Sequence, residues 1–235
     1  MYRIIVTDYD GTLIQNSKEP SNAFYTKLNM LVSRGIIFAV ASGRPYNQLK
    51  KLLYPISNEI VFIASDGAQM MYKNCLLYKK TVDVSVAKAV SKKALDSGMT
   101  PIVALREENR KVTEEKLGLP FFFSSDIFKI VIAVNGKDTT DIKNFAIEKN
   151  LRVCYENDEY LELCNKDSDK GEAVKKLMTK FSVNDKKILV MGDGINDVSM
   201  LKLAEKRICP KNACNEVALI SEQIENIEKY ILNLS

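Results

Sequence analysis

IIVTDYDGTLI, residues 4–14, starts as an apolar, β-branched run and breaks at Asp8. A second carboxylate, Asp10, follows after Tyr9, and then come Gly11 and Thr12. A short apolar run that ends in turn residues reads as a buried strand. Along an extended chain, side chains i and i+2 share a face. Asp8 and Asp10 are therefore expected to face one cavity, with Tyr9 turned aside. Two carboxylates so close repel, which raises the pKa of one unless a cation intervenes. Gly11 lets the chain turn sharply, and Thr12 can hydrogen-bond within that turn.

The same design recurs along the chain. IIFAVAS (36–42) and IVFIAS (60–65) read as further strands, and so does KILVMGD (187–193). Between the first two, Phe24, Leu28, Leu31 and Val32 fall at helical spacing, and Gly35 ends that segment. Another helix is expected to open at Pro45, and QMMY and LLYK to form a hairpin about Lys73 and Asn74. Strands alternating with amphipathic segments predict an α/β fold with a doubly wound, mostly parallel sheet. In such sheets the ligand site lies beyond the carboxyl ends of the strands. Small and polar residues collect at those ends: DYDGT, ASGRP (41–45), ASDGA (64–68) and GDGIND (192–197). If Asp193 converges on Asp8 and Asp10, three acids make a dense negative site whose natural occupant is Mg²⁺.

The texture changes near residue 80. A helix over roughly 84–97, PIVAL, a charged and aromatic loop at 106–126, FKIVIAV, a helix near 139–149, RVCYE and YLELC form an α+β unit of about 85 residues. The first texture then returns, with a helix from Lys170, another after Asn196 and a terminal helix carrying Ile224, Ile227, Ile231 and Leu234. The expected division is a core over 1–80 and 167–235, interrupted by an inserted unit over 81–166.

Composition narrows the chemistry. The 235 residues hold 34 Lys+Arg against 30 Asp+Glu, an excess of +4 spread along the chain and too weak to indicate nucleic acid. With no histidine, Ser-His-Asp, Cys-His and HExxH chemistries are excluded. A metal would then see oxygen ligands and be a hard one, Mg²⁺ rather than zinc. Five cysteines without a CxxC pair suit reduced thiols in a cytoplasmic protein. MYRIIVTDYDG shows no long apolar leader, and no run approaches ~18 apolar residues, so no membrane partner is expected. NKDSDKG (165–171) resembles the start of an EF-hand loop but has Lys170 where that loop needs glycine. Phe121–Phe123 is expected either to pack in the inserted unit or to serve its closure over the site.

DYDGTL, the serine of ASGRP, the lysine of DSDKG and GDGIND together resemble the four motifs of the haloacid dehalogenase-like (HAD) phosphohydrolases. The insertion between the second and third motifs is similar to the Cof-type members, subfamily IIB, with a C2-type cap, and the likeness in layout spans the whole chain. The resemblance implies a Rossmann-like core and a Mg²⁺-dependent phosphomonoesterase acting on small phosphorylated metabolites, sugar phosphates foremost. It implies Asp8 as nucleophile and Asp10 as acid and base, with Mg²⁺ held by the Asp8 carboxylate, the Asp10 carbonyl and Asp193. Ser42 and Gly43 would meet the phosphate, with Arg44 either contacting substrate or lying on the surface. Lys170 would neutralise charge in transfer. Asn196 would orient the phosphate or a metal-bound water, and Asp197 would hold Lys170 or the metal shell.

In the inserted unit, Arg106, Lys116 or Lys129 would set specificity. The implied protein is cytoplasmic, a monomer or weak homodimer, with no nucleic-acid partner. Two positions depart from the family: Asp66 stands where many members have asparagine, and ICPKNA (208–213) carries Lys211 where a glycine is common. An acid at 66 would disfavour a second anionic group on the substrate. A phosphosugar mutase on the same scaffold and a non-catalytic, receiver-like phosphoacceptor are the alternative functions. The second of these would have no use for Asp10.

Overall fold

The structure, a computed structural model, describes residues 2–15, 18–106, 108–119, 122–123 and 126–234. It divides into two compact units, Met1–Tyr78 with Asp169–Ser235, and Lys79–Ser168. The first unit opens with β1 (Ile4–Asp8), α1 (Asn22–Ser33), β2 (Ile37–Ala41), α2 (Tyr46–Leu52), β3 (Val61–Ala64), β4 (Gln69–Tyr72) and β5 (Cys75–Lys79). The second contains α3 (Val84–Asp96), β6 (Thr100–Ala104), β7 (Asn109–Lys111), α4 (Glu114–Leu117), β8 (Lys129–Ala133), α5 (Thr140–Glu148), β9 (Leu151–Glu156) and β10 (Tyr160–Asn165). The chain then returns to the first unit with α6 (Lys170–Lys180), β11 (Ile188–Met191), α7 (Val198–Leu201), β12 (Lys206–Pro210), α8 (Asn215–Ala218), β13 (Glu222–Ile224) and α9 (Ile227–Leu232).

The first unit's eight-stranded sheet runs β13-β12-β11-β1-β2-β3-β4-β5. Every pairing from β13 to β3 is parallel, and β4 is antiparallel to β3. Lys73 and Asn74 both take positive φ between β4 and β5, the tight hairpin turn that the sequence predicts. Each face of the sheet carries its own core. Ile5, Phe38 and Val40 pack with Phe24, Leu28, Leu31, Leu49 and Ile231 on one side. Ile4, Val6 and Ala39 pack with Val174, Leu177, Met200 and Val217 on the other. The alternation of β1 between the two cores is what a doubly wound α/β sheet requires: both faces are apolar because both are covered.

The second unit has a five-stranded sheet in the order β7-β6-β8-β10-β9, antiparallel throughout. Val103, Ile130, Ile132, Leu161 and Leu163 point to one face, where Ala87, Val90 and Ala94 of α3 and Ile142 and Ala146 of α5 cover them. Phe123 is buried in that core, and Phe122 packs edge-on against it at 5.1 Å; Phe121 lies outside the described residues.

Three local readings differ from the structure. Ile224 ends strand β13 and is not part of the terminal helix, which begins at Ile227. The 106–126 stretch contains β7 and α4. A further strand, β12, lies where the sequence pattern predicts none: Lys206 and Arg207 interrupt the apolar run before Ile208, Cys209 and Pro210 are buried. Among the described cysteines none is bridged. No helix among the described residues is long and apolar enough to cross a membrane.

Candidate active site

All the residues singled out at the strand ends belong to the first unit. Asp8 is the last residue of β1, in the middle of the sheet, and is 5% exposed. Tyr9 turns back into the core, as the alternation predicts. Asp8 Oδ1 receives the Lys170 ammonium at 2.6 Å, and the same Nζ donates to Asp197 Oδ1 at 2.6 Å. Lys170 is held there as the first residue of α6, a helix capped by Asp169 accepting from the Glu172 amide at 3.1 Å. That cap is what the DSDKG segment builds in place of a calcium loop.

Asp197 uses both carboxylate oxygens. Oδ1 holds Lys170, while Oδ2 accepts from the backbone N–H groups of Asp193 and Gly194, each at 3.0 Å. Of the two roles considered for it, this geometry supports the anchoring of Lys170. Thr12 does not bond within its own turn; its hydroxyl donates to Asp193 Oδ1, closing a loop across 181 residues of sequence. Oxygens of Asp8, Asp193 and Asp197 lie within 4.8 Å of one another.

The electrostatics follow from this crowding. One buried cation sits among three acids. Burial would lower the Lys170 pKa, but Asp197, Asp8 and Asp66 outweigh it, so the ammonium is held charged. Burial pushes the Asp8 carboxyl well above its ordinary value against the pull of Lys170, and Asp197 and Asp193 add to the rise. Burial also raises Asp193, against the hydrogen bond from Thr12. The surplus negative charge, the all-oxygen donor set and the short spacing fit a hard divalent cation.

Gly11 contributes to that fit. It has φ +86, and a Cβ there would overlap the Asp193 carboxylate, so only glycine lets Asp193 approach the Asp10–Gly11 peptide. Gly11→Ala is expected to cost about 1–3 kcal/mol through the backbone and the clash together. Urea unfolding of wild type and variant checks it.

Asp10 stands apart from the buried cluster. Its carboxylate is half exposed and is gripped by Arg44 in a two-pronged pair, Nε to Oδ2 and Nη2 to Oδ1, both 2.7 Å. The guanidinium also lies 5.7 Å from the centre of the Tyr9 ring. Arg44, with its side chain 41% exposed, holds the second acid. Ser42, buried at the end of β2, accepts from the Arg44 amide at 3.1 Å and keeps its hydroxyl proton for another acceptor. Gly43 lies against Asp66, whose carboxylate oxygens a Cβ would meet at 3.2–3.3 Å. Asn196 donates its amide N–H to Asp66 Oδ1 at 3.1 Å. Sequence reasoning foresaw neither this bond nor that between Thr12 and Asp193.

The three cations named in the second unit are each engaged within it. Arg106 pairs with Asp126 at 3.2 Å, Lys116 donates to the Lys111 carbonyl at 3.3 Å, and buried Lys129 meets Glu162 at 2.6 Å. Lys211 pairs with Glu225 at the surface.

Residues 1–233 match the family described as sucrose-6F-phosphate phosphohydrolase. A phosphoglycolate phosphatase of Thermoplasma volcanium is 27% identical over 226 residues, covering 96% of this chain and 92% of that protein. The 5-amino-6-(5-phospho-D-ribitylamino)uracil phosphatase YbjI of Escherichia coli is 22% identical, covering 92% of this chain and 87% of that one. Among solved structures, a haloacid dehalogenase-like hydrolase from Bacteroides thetaiotaomicron superposes with a TM-score of 0.83 at 20% identity, covering 98% of each chain. The HAD subclass IIB sugar phosphatase BT4131 superposes with a TM-score of 0.75 at 16% identity, covering 97% of this chain and 95% of its own. The chain belongs to the sucrose-6F-phosphate phosphohydrolase family of HAD-like phosphatases, hydrolases of phosphoric monoesters.

Proposed function

We propose that this phosphatase is a cytoplasmic, Mg²⁺-dependent enzyme that hydrolyses small phosphorylated metabolites, sugar phosphates foremost, through an aspartyl-phosphate on Asp8. The observation that carries the reading is the Lys170 ammonium shared between Asp8 and Asp197 at 2.6 Å inside a buried acid cluster. A carboxylate kept dry beside a fixed cation is poised to attack an anionic phosphorus, and Lys170 then faces the charge that spreads over the phosphoryl oxygens. Bound Mg²⁺, held by Asp8, Asp193 and the Asp10 carbonyl, would supply the further charge neutralisation that brings phosphate and nucleophile together. The likeness to a sugar phosphatase in fold supports the substrate class.

The proton work falls to Asp10. Once Arg44 releases its two-pronged hold on Asp10, Asp8 bonds to phosphorus, the ester P–O bond breaks and the leaving oxygen takes a proton from the Asp10 carboxyl. Asp10, now ionised, takes a proton from water as that water attacks phosphorus. The acyl-phosphate P–O bond breaks, releasing inorganic phosphate and free Asp8. Ser42 donates to a phosphoryl oxygen, with Gly43 leaving room beside it.

Phosphate release from a panel of phosphorylated metabolites, with and without Mg²⁺, tests the reading. Release that needs the metal supports it. Isomer formation without release would move the function to a mutase. Asp10→Asn is expected to lower kcat by roughly 10²–10⁴-fold and to accumulate protein heavier by one phosphoryl group, visible by intact-mass spectrometry. An inactive variant that stays unphosphorylated would place the block in the first half, where Asp10 protonates the leaving oxygen.

A further inference from the structure

We infer that Asp66 is a positioning residue whose carboxylate decides which way the Asn196 amide faces, leaving the amide oxygen to accept from a water on the divalent cation. Naming that donor rests on the function proposed above; the orientation itself does not.

Asp66 follows β3 in a turn where Ser65, Asp66 and Gly67 have φ of 51, 53 and 83. Two successive non-glycine residues in the left-handed region cost about 1–2 kcal/mol each, so something must hold them. The Ser65 amide donates to the Arg44 carbonyl at 2.9 Å, and the Asp66 amide to the Ser42 carbonyl at 3.1 Å. A Cβ on Gly67 would overlap the Asp169 backbone, so the turn is pressed against the start of α6, one residue before Lys170. Strain stored beside a reaction centre points to a task for the side chain that it aims.

That side chain is 2% exposed and meets Asn196 Nδ2 at 3.1 Å. Asp66 Oδ1 is an acceptor in this contact, so the amide presents its NH₂ to it. An asparagine at 66 could accept or donate, and both amide orientations would remain open. With the acid, Asn196 Oδ1 is turned away. It packs over Gly194, where a Cβ would come within 2.7 Å, and it accepts no hydrogen bond among the described residues. Asn196 lies next to Asp197, two residues from the turn that carries the anchored amides of Asp193 and Gly194. An oxygen fixed there suits a metal-bound water, a proton donor, better than a phosphate oxygen. Outer contacts of this kind govern metal affinity as much as orientation.

The test measures Mg²⁺ affinity by isothermal titration calorimetry for wild type, Asp66→Ala, Asn196→Ala and the double variant. Each single change is expected to weaken binding roughly 10-fold, and the double variant to bind no more than about 2-fold more weakly than either single one. Losses that multiply in the double variant would mean that Asp66 acts by its charge alone, and would overturn the inference. Should Asp66→Ala fail to fold, Asp66→Asn keeps the size and the left-handed tolerance of the residue.

In that variant the Asn196 side-chain amide resonance, identified by its loss in Asn196→Ala, is expected to shift in a ¹⁵N-correlated spectrum. An unmoved resonance would also overturn the inference. If wild type binds no Mg²⁺, the metal-dependent function falls, while the resonance still decides whether Asp66 sets the amide.

Discussion

Asp8→Asn is expected to abolish phosphate release, by a factor on the order of 10⁴ or more, while leaving the protein at least as stable as wild type. The first half follows from the proposed chemistry: the amide has the shape of the carboxylate but cannot form the phosphoryl ester. The second half follows from the cluster. Asp8 is buried with Asp193 and Asp197 around a single ammonium, and burial has already pushed its carboxyl well above the usual range. Replacing it with a neutral isostere relieves repulsion, and Lys170 keeps Asp197. Single-turnover phosphate release and urea unfolding on the same preparation check both halves. Lost activity with lost stability would mean that the pairing of Asp8 with Lys170 outweighs the burial and repulsion of its carboxylate. Retained activity would dismiss the aspartyl-phosphate route altogether.

Lys170→Met should fail on both counts. Its side chain is 1% exposed, and its ammonium is bonded to two carboxylates at 2.6 Å. Removing one partner of a buried pair strands the others, at a cost of about 3–5 kcal/mol. The methionine fills most of the same volume, so the loss reports the charge and not a cavity. Activity should fall with it, since nothing else among the described residues offers a cation to Asp8 at that distance. The coupling can be isolated by adding Asp8→Asn: the double variant leaves one acid fewer unpaired and should recover part of the stability, but none of the activity. Additive losses in unfolding free energy would show that Lys170 and Asp8 do not act as a pair.

The contrast between the two variants separates catalysis from cohesion. Asp8 sits where the fold tolerates its charge only because Lys170 is present, which is the usual price of placing a reactive acid in a dry site. Asp10 is different: half exposed and held by Arg44, it lies within reach of water, as a group that must exchange protons with a leaving oxygen and with water needs.

What the sequence determined by itself was the fold class, because short β-branched runs that break into turn residues alternate with amphipathic segments, the pattern of parallel strands joined by helices. It also located the chemistry at the strand ends, since turns after buried strands show as abrupt changes of residue type along the chain. Strands such as β12, which begin with Lys206 and Arg207, hid behind long side chains whose stems pack while their charges stay wet.

Only the tertiary structure decided the partners. Arg44 joins Asp10 across 34 residues, Asn196 joins Asp66 across 130, and Thr12 joins Asp193 across 181. Such contacts leave no period in the sequence, because they are set by which strands lie side by side and how tightly the turns beyond them pack. A motif names the residue types that chemistry needs; the direction in which each acid, amide and guanidinium points is fixed by long-range packing, and the function turns on those directions.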